Sequence, residues 1–284
     1  MITTEQPIVI TGTSTGVGKA TALHLDQLGF RVFAGVRKET DGQALMKEAS
    51  DRLTPILLDV TDANAIADAV RTVTEATSGT LFGLVNNAGL SLNGPLELIP
   101  ISEIKKLMDV NVLGLLAVTR AFIPLLRKGK GRLVNISSGH GLLAIPDKSV
   151  YAASKFAVQA ISDSLRVELR PFGVSVSSVV VGKVDTKVLG KIVADRDKMI
   201  RAATPEIVQL YAPLFEFFDK EVKGLPGIPP CEVARVVARA LTTKRPKARY
   251  LIGPGAKNMK NLARLPVRLR DRLMYQAIYA KRHS

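Results

Sequence analysis

Tyr151 and Lys155 are the residues of this sequence whose types and spacing best suit acid–base chemistry. They stand four positions apart in a segment with a helical pattern, so both can point from one helix face into the same pocket. A phenol is a poor proton donor near neutral pH because its ordinary pKa is about 10, and a neighbouring cation lowers that pKa. The spacing therefore predicts a tuned acid/base pair. The alternative is an ordinary helix with a surface lysine near a tyrosine.

A glycine-rich turn near the N-terminus has the setting of a phosphate-binding loop. A β-branched run at residues 8–10 predicts a buried strand, and a helical pattern follows residue 18. Glycines let a ligand approach the backbone, and the start of a helix offers free N–H groups to a pyrophosphate. The spacing is G-x-x-x-G-x-G rather than G-x-G-x-x-G. The residues expected to contact a dinucleotide here are Gly12, Ser14, Thr15, Gly16, Val17 and Gly18.

The end of the second predicted strand, residues 31–36, bears on the choice of cofactor. An acid at this position binds the ribose 2′-hydroxyl of NAD, whereas an arginine accommodates the 2′-phosphate of NADP. The sequence has Arg37 and Lys38 here, and the first acid is Glu39. This charge pattern favours NADP(H) over NAD(H). The alternative is that the two cations belong to a solvated turn.

Strands and helices alternate along the body of the chain. Further strands are predicted at residues 53–58, 81–85, 131–136, 174–180 and 249–252, with helical patterns between most of them. The alternation predicts an α/β fold, a single-domain, doubly wound, Rossmann-like parallel sheet over residues 1–255. Asp59, Asn87 and Ser138 follow or end predicted strands, where ligands bind in such sheets. Asn111 interrupts an apolar run between two helical patterns and must be hydrogen-bonded if it is buried.

Taken in order, these residues resemble the short-chain dehydrogenase/reductase family along nearly the whole chain. The matching motifs are Thr11-Gly12-x-x-x-Gly16-x-Gly18, Asp59, Asn86-Asn87-Ala88-Gly89, Asn111, Ser138, Tyr151-x-x-x-Lys155 and Gly182-x-Val184-x-Thr186. One departure is Val181, which stands where the family usually has proline before the glycine. Within the family, the retinol and hydroxysteroid dehydrogenases are the branch that the chain resembles.

The resemblance implies a reaction and a set of roles. Tyr151 is the general acid in carbonyl reduction and the base in alcohol oxidation. Lys155 lowers the Tyr151 pKa and holds the nicotinamide ribose, Ser138 stabilises charge on the substrate oxygen, and Asn111 orders a water that leads to Lys155. Further cofactor contacts are implied for Arg37, Asp59, Val60, Asn87, Ala88, Gly89, Tyr151, Lys155, Gly182, Val184 and Thr186. Substrate contacts are implied for Ser138, His140, Leu143 and Tyr151, and no metal site is implied.

A non-catalytic NADP(H)-binding sensor or scaffold on the same fold is the alternative function. Such a protein has no need to keep Asn111, Ser138, Tyr151 and Lys155 together, so their joint presence favours an enzyme. Residues 183–230 are rich in apolar side chains and predict a helical lid over the substrate. An apolar lid favours a lipophilic carbonyl or alcohol. The alternative is that these side chains form the core of the lid itself.

The C-terminal residues 256–284 predict a basic amphipathic extension. The formal net charge is +15, and residues 244–284 carry twelve Lys or Arg against one acidic residue. Leu265, Leu269 and Leu273 recur every four residues beside an arginine stripe. This face can lie on an anionic membrane surface, on the body or on a partner subunit. A nucleic-acid partner is not expected because the rest of the chain is nearly balanced in charge.

Other features of the sequence bear on the cellular compartment and the oligomeric state of the protein. Cys231 is the single cysteine and cannot form an intrachain disulfide, which is typical of a reducing compartment. The N-terminus lacks the pattern of a signal peptide, and no apolar run approaches the roughly 20 residues needed to span a bilayer. We therefore expect a cytoplasmic protein, with peripheral membrane contact as an alternative. Relatives in the family are commonly dimers or tetramers, so the resemblance implies a homo-oligomer.

Overall fold

The computed structural model describes residues 5–224 and 226–279. Residues 1–4 of the predicted domain, residue 225 of the lid and residues 280–284 of the extension lie outside the described residues. The described strands are β1 (Pro7–Ile10), β2 (Arg31–Val36), β3 (Leu53–Leu57), β4 (Gly83–Asn86), β5 (Arg132–Ser138), β6 (Ser175–Val181) and β7 (Arg249–Ile252). Each predicted strand is present, and its ends differ from the prediction by no more than two residues.

The seven strands form one parallel sheet in the order β3-β2-β1-β4-β5-β6-β7. The strand order reverses between β1 and β4, and ligands bind outside the carboxyl ends of the strands at such a switch point. β1 and β6 are buried on both faces at every residue except the first, as parallel sheets between helical layers require. The predicted doubly wound, Rossmann-like parallel sheet is confirmed.

Helices cover both faces of the sheet. The described α-helices are α1 (Gly16–Gln27), α2 (Glu39–Met46), α3 (Ala63–Thr77), α4 (Ile101–Met108), α5 (Leu115–Gly129), α6 (Ser149–Glu168), α7 (Lys187–Ala202), α8 (Pro205–Gly224), α9 (Pro230–Thr242), α10 (Ala256–Leu262) and α11 (Val267–Tyr279). One buried apolar cluster joins α1 and α9 to the sheet, and a second joins α3 and α5 to its other face. The two helical layers cover the faces of the sheet and leave the carboxyl ends of its strands together at one edge.

Helices α4 and α5 are joined by a π-helical turn, Asp109–Gly114, into one continuous helix, Ile101–Gly129. Asn111 lies in this turn, so the two helical patterns in the sequence are one helix with a local change of pitch. By length and composition this helix could cross a membrane, which contradicts the expectation that no segment could. Much of it is buried inside the protein, and it belongs to the core.

The predicted lid is helical and consists of α7 and α8. A parallel bridge between Val184 and Ile228 holds its two ends together. Helix α11, the predicted amphipathic helix, packs against α8. Ile278 of α11 is buried, whereas Leu269 and Leu273 remain 44% and 43% exposed. These two leucines of the stripe are therefore only partly covered by the described residues of this chain.

Candidate active site

A cleft of about 770 Å³ runs along the carboxyl ends of the strands. It is lined by every residue predicted to contact cofactor or substrate. Those residues are Gly12, Ser14, Thr15, Gly16, Val17, Gly18, Arg37, Asp59, Val60, Asn87, Ala88, Gly89, Ser138, His140, Leu143, Tyr151, Lys155, Gly182, Val184 and Thr186. Asn111 is the one predicted site residue that does not line the cleft, although its neighbour Val110 does.

The glycine-rich turn between β1 and α1 leaves no room for side chains. Gly12 has φ +70°, where residues with a Cβ are strained. A Cβ on Gly18 would lie 2.1 Å from the Gly12 carbonyl oxygen and 2.4 Å from Asn87 Nδ2. Asn87 Nδ2 occupies that space because it donates to the carbonyl oxygens of Thr11 and Gly12, each at 3.0 Å. The turn and the loop after β4 are thus locked together.

Two threonines that were not among the predicted cofactor contacts, Thr11 and Thr13, complete this lock. The Thr11 hydroxyl oxygen accepts hydrogen bonds from the backbone N–H groups of Asn87 and Ala88, both at 3.0 Å. The Thr13 hydroxyl donates to the Gly35 carbonyl at 3.0 Å and so ties the turn to β2. Both are nearly fully buried. The only local sign of this role in the sequence is a pair of hydroxyl residues at the end of a strand. Their hydrogen-bond partners lie 22 to 77 positions away along the chain, so no local pattern predicts them.

Arg37 and Asp59 stand at one end of the cleft. The Asp59 carboxylate accepts from the backbone N–H and the hydroxyl of Thr61, at 2.9 and 2.7 Å. Burial alone would raise the pKa of Asp59, but these hydrogen bonds and the charge of Arg37 outweigh it, so the pKa is lowered. Asp59 is therefore ionised at neutral pH, while the Arg37 side chain is exposed to whatever binds beside it.

Tyr151 and Lys155 project from the first turns of α6 into the other end of the cleft. Lys155 Nζ lies 5.8 Å from the centre of the Tyr151 ring. Burial nevertheless raises the pKa of the Tyr151 phenol, and only a hydrogen bond from Ser138 opposes it. Burial disfavours the phenolate, so the pKa of Tyr151 is raised in this structure, and its lowering by Lys155 stays a prediction.

Lys155 is held away from the phenol by its own hydrogen bond. Its ammonium donates to the Ile136 carbonyl at 3.2 Å and lies next to Gly89, where an added Cβ would be 3.7 Å from Nζ. Burial lowers the pKa of Lys155 to about 8. The ammonium is therefore the main form at neutral pH, but it can lose its proton under mildly alkaline conditions.

Two adjacent serines, Ser137 and Ser138, end β5, and their hydroxyl groups have different hydrogen-bond partners. The Ser137 hydroxyl donates to the Lys155 carbonyl at 3.4 Å and packs behind α6. The Ser138 hydroxyl hydrogen bonds to Tyr151 and also accepts from the His140 backbone N–H at 3.3 Å. Of the two, Ser138 therefore shares its hydroxyl with the candidate acid/base.

Asn111 is almost fully buried and clamps the loop after β4. Its side-chain oxygen accepts from Leu90 N at 2.7 Å, and its Nδ2 donates to Leu90 O at 2.9 Å and to Ser154 Oγ at 3.0 Å. Both amide N–H donors are thus in use. A water relay that depends on this side chain has at most one remaining acceptor position on Oδ1.

The residues of the cleft fit a dinucleotide. Helix α1 begins at Gly16, so its free N–H groups face the glycine-rich turn. The turn carries backbone where side chains would obstruct a pyrophosphate, and Arg37 and Lys155 place positive charge at the two ends of the cleft. Ser138, Tyr151 and Lys155 then stand at the end remote from Arg37, as proton transfer next to a nicotinamide requires.

Residues 6–197 match the model of a family described as short chain dehydrogenase. The chain belongs to this family. Retinol dehydrogenase 7 of Rattus norvegicus is 35% identical over 280 residues, which cover 95% of this chain and 88% of that protein. Estradiol 17-beta-dehydrogenase 2 of Mus musculus is 44% identical over 192 residues, 66% of this chain and 50% of that protein. These relatives place the chain in the predicted retinol and hydroxysteroid dehydrogenase-like branch.

A solved short-chain dehydrogenase has the same fold. The enzyme from Burkholderia cenocepacia J2315 in complex with NADP superposes with a TM-score of 0.73 at 27% identity, over 95% of this chain and 98% of its own. The protein is thus an oxidoreductase of the short-chain dehydrogenase family that uses a nicotinamide cofactor.

His140 gives this short-chain dehydrogenase a measurable dependence of stability on pH. Burial lowers its pKa from 6.5 to about 4, the charge of Lys148 adds to this, and a backbone hydrogen bond with Leu143 opposes it. Between these two values the unfolded chain binds a proton that the folded chain does not, so the free energy of unfolding falls as the pH falls. From about pH 7 to about pH 4.5 we expect the wild type to lose roughly 2 to 3 kcal/mol relative to His140→Asn.

Urea unfolding of both proteins at the two pH values measures this difference. Carboxylates that titrate in the same pH range are present in both proteins, so their contribution to the free energy of unfolding cancels in the difference. A stability difference that stays constant across the two pH values would show that the His140 pKa is not lowered by folding.

Proposed function

We propose that this short-chain dehydrogenase interconverts a carbonyl and an alcohol on a lipophilic substrate, with NADP(H) as cofactor. The observation that carries the proposal is the arrangement at one end of the cleft. A tyrosine hydroxyl bonded to Ser138, with Lys155 behind it, faces an apolar region, and the glycine-rich turn lies in the same cleft. When bound, the cofactor supplies the hydride in reduction and accepts it in oxidation.

Tyr151 is the proposed general acid for carbonyl reduction. The raised pKa keeps its hydroxyl protonated at neutral pH, so the proton is available for the oxygen that becomes the alcohol. Ser138 donates a hydrogen bond to the same oxygen and stabilises the negative charge that develops there. In the oxidative direction Tyr151 acts as the base, and its charged form then needs the positive charge of Lys155 nearby.

Lys155 and Asn111 are the proposed supporting residues. The Lys155 ammonium is positioned to bind the ribose hydroxyls of the cofactor and to stabilise the phenolate of Tyr151. Asn111 acts as a positioning residue, because it holds Leu90 on one side and Ser154 of helix α6 on the other. Its hydrogen bonds fix the distance between the loop after β4 and the helix that carries Tyr151.

The preference for NADP(H) rests on Arg37. This side chain lies at the end of β2, where it can pair with a 2′-phosphate, and the nearest lining acid, Asp59, already accepts hydrogen bonds from Thr61. A hydrogen bond to a charged group is worth about 1.5 to 3 kcal/mol, which corresponds to roughly ten- to hundredfold in affinity. The NADP complex of the Burkholderia relative is consistent with this preference.

Replacing Arg37 with aspartate is therefore expected to weaken NADPH binding at least about tenfold and to leave NADH binding unchanged or tighter. Fluorescence titration of each cofactor measures the two dissociation constants. Lys38→Asp is the matched control, because it makes the same charge change one residue away, where the side chain does not line the cleft. Equal affinity of the wild type for NADPH and NADH would refute the preference.

The apolar lining of the remote end supports a lipophilic substrate. Leu143 and Ile145 contribute from the loop after β5, and Ile192, Phe217 and Phe218 contribute from the lid helices. Aromatic and aliphatic walls with a few polar groups are typical of sites for apolar ligands. Relatives named for retinol and estradiol belong to the same branch of the family. A screen of retinoids, steroids, fatty aldehydes and short ketones for NADPH consumption tests the class, and turnover of the short ketones alone would contradict it.

A further inference from the structure

Arg270 is a charged side chain of helix α11 that reaches into the substrate end of the cleft. It lines the cleft together with Leu273, Met274 and Ala277 of the same helix. Its side chain is 26% exposed, whereas Arg268 and Arg272, two positions before and after it in the sequence, are exposed. The C-terminal extension thus contributes a cation to the wall that faces the substrate.

The guanidinium of Arg270 has few partners among the residues that the structure describes. Its Nε is buried and makes no hydrogen bond within the described residues 5–224 and 226–279. Its ion pair, with the exposed neighbour Asp271, has an Nε to Oδ1 distance of 3.8 Å, which is longer than a hydrogen bond. A buried donor without a partner is costly, so a ligand that accepts from it gains the full value of the hydrogen bond.

The lining of the substrate end contains no carboxylate among the described residues. The single described acid that lines the cleft is Asp59, and it stands at the other end. Lys148 is paired with Asp147, with Nζ 3.9 Å from Oδ2, and lies over the ring of Phe218. Arg270 is therefore a cation of this end that no lining carboxylate of the described residues balances.

We propose that Arg270 binds an anionic group of the substrate. The substrate is then an amphipathic molecule with an apolar body, a carbonyl or hydroxyl at Tyr151 and a carboxylate at the α11 end. Arginine suits this task because its planar guanidinium binds a carboxylate through two parallel hydrogen bonds. The inference rests on the proposed function for the identity of the reacting end, and it assigns a substrate-recognition role to the C-terminal extension.

Binding of dodecanoate and dodecanol to the NADP⁺-loaded full-length protein tests Arg270 without any turnover. The two probes share one alkyl chain and differ in charge. We expect the wild type to bind dodecanoate at least about tenfold more tightly than dodecanol, and Arg270→Gln to remove that difference. Arg270→Lys keeps the charge but loses the geometry for two parallel hydrogen bonds. This variant should therefore retain part of the preference for dodecanoate.

Arg268→Gln is the matched control, because it removes the same charge two positions away, at an exposed side chain of α11. It should leave both dissociation constants unchanged. Equal binding of the two probes by the wild type would overturn the inference. So would an equal loss in Arg268→Gln and Arg270→Gln, because that result indicates general attraction to a basic surface. Circular dichroism of each variant confirms that it is folded.

Turnover separates the inference from the proposed function. The substrates are the keto acid formed by oxidising dodecanoate at its penultimate carbon and the methyl ester of that acid. We expect the wild type to prefer the acid in kcat/KM at least about tenfold, and Arg270→Gln to lower this ratio towards one, mainly through KM. Equal use of acid and ester by the wild type overturns the role of Arg270 while the proposed reaction stands. No reduction of any carbonyl compound by NADPH would overturn the proposed reaction, and the binding experiment still decides the role of Arg270.

Discussion

Replacing Tyr151 with phenylalanine is expected to lower kcat by about 10²- to 10⁴-fold, the usual contribution of a positioned general acid or base. The change removes one oxygen atom and keeps the ring that packs edge-on against His140, with ring centres 5.9 Å apart. The fold and the cofactor site should therefore be preserved. Only the proton donor is lost, together with the hydrogen bond to Ser138.

The measurement is NADPH consumption with the best substrate of the screen, alongside NADPH titration of the same preparation. We expect the dissociation constant of NADPH to change by less than about threefold, because the Tyr151 hydroxyl contributes at most one hydrogen bond to the cofactor. Ser138→Ala is the companion variant. It keeps the acid but loses the donor to the substrate oxygen, so a smaller decrease in kcat is expected, about 10²-fold. A Tyr151→Phe variant with full turnover would falsify the proposed mechanism.

Replacing Gly18 with alanine is expected to weaken NADPH binding at least about hundredfold. The added Cβ would lie 2.1 Å from the Gly12 carbonyl oxygen and 2.4 Å from Asn87 Nδ2. The turn must therefore move away from the loop after β4, and the hydrogen bonds of Asn87 to Thr11 and Gly12 are broken. Overpacking of this kind costs about 1 to 3 kcal/mol of stability, so a lower melting temperature is expected as well.

Gly190→Ala is the matched control for this prediction. Gly190 also lies in a helix, α7, and no atom lies within 4 Å of the position that a Cβ would take. Alanine is the better helix former by about 0.8 to 1 kcal/mol, so this variant should be slightly stabilised and should bind NADPH like the wild type. NADPH titration and thermal unfolding of both variants make the comparison. Unchanged NADPH binding by Gly18→Ala would mean that the glycine-rich turn is not the cofactor site.

The helix that carries Tyr151 is fixed by a buried polar network that no local pattern suggests. Asn86 Nδ2 donates to Thr119 Oγ1 at 2.8 Å and to Asn135 Oδ1 at 2.9 Å. Asn135 Nδ2 in turn donates to Ser162 Oγ of α6 at 2.9 Å. Buried networks of this kind hold a unique packing because each broken bond leaves a costly unpaired group. The two neighbouring amides, Asn86 and Asn87, therefore brace different parts: the core under α6 and the glycine-rich turn.

The sequence by itself determined the fold class, the order of strands and helices along the chain and, with the family resemblance, part of the set of residues that line the cleft. The fold class and the positions of the strand ends depend on short-range patterns. A β-branched run buries a strand, a glycine turn opens a helix, and the parallel arrangement brings every strand end to the same edge of the sheet. For that reason Gly12, Asn87, Ser138 and Tyr151 lie together although the chain between them is long.

Only the tertiary structure decided how those residues are coupled. It showed that burial raises the pKa of Tyr151, because hydration depends on atoms from the whole fold and not on the i and i+4 spacing. It showed that the Asn111 side-chain amide is hydrogen-bonded to Leu90 and Ser154. It also placed Arg270 of α11 at the cleft, beside Leu273 of the leucine stripe. The periodicity of a helix defines its faces, but the face that is buried depends on the element that packs against it.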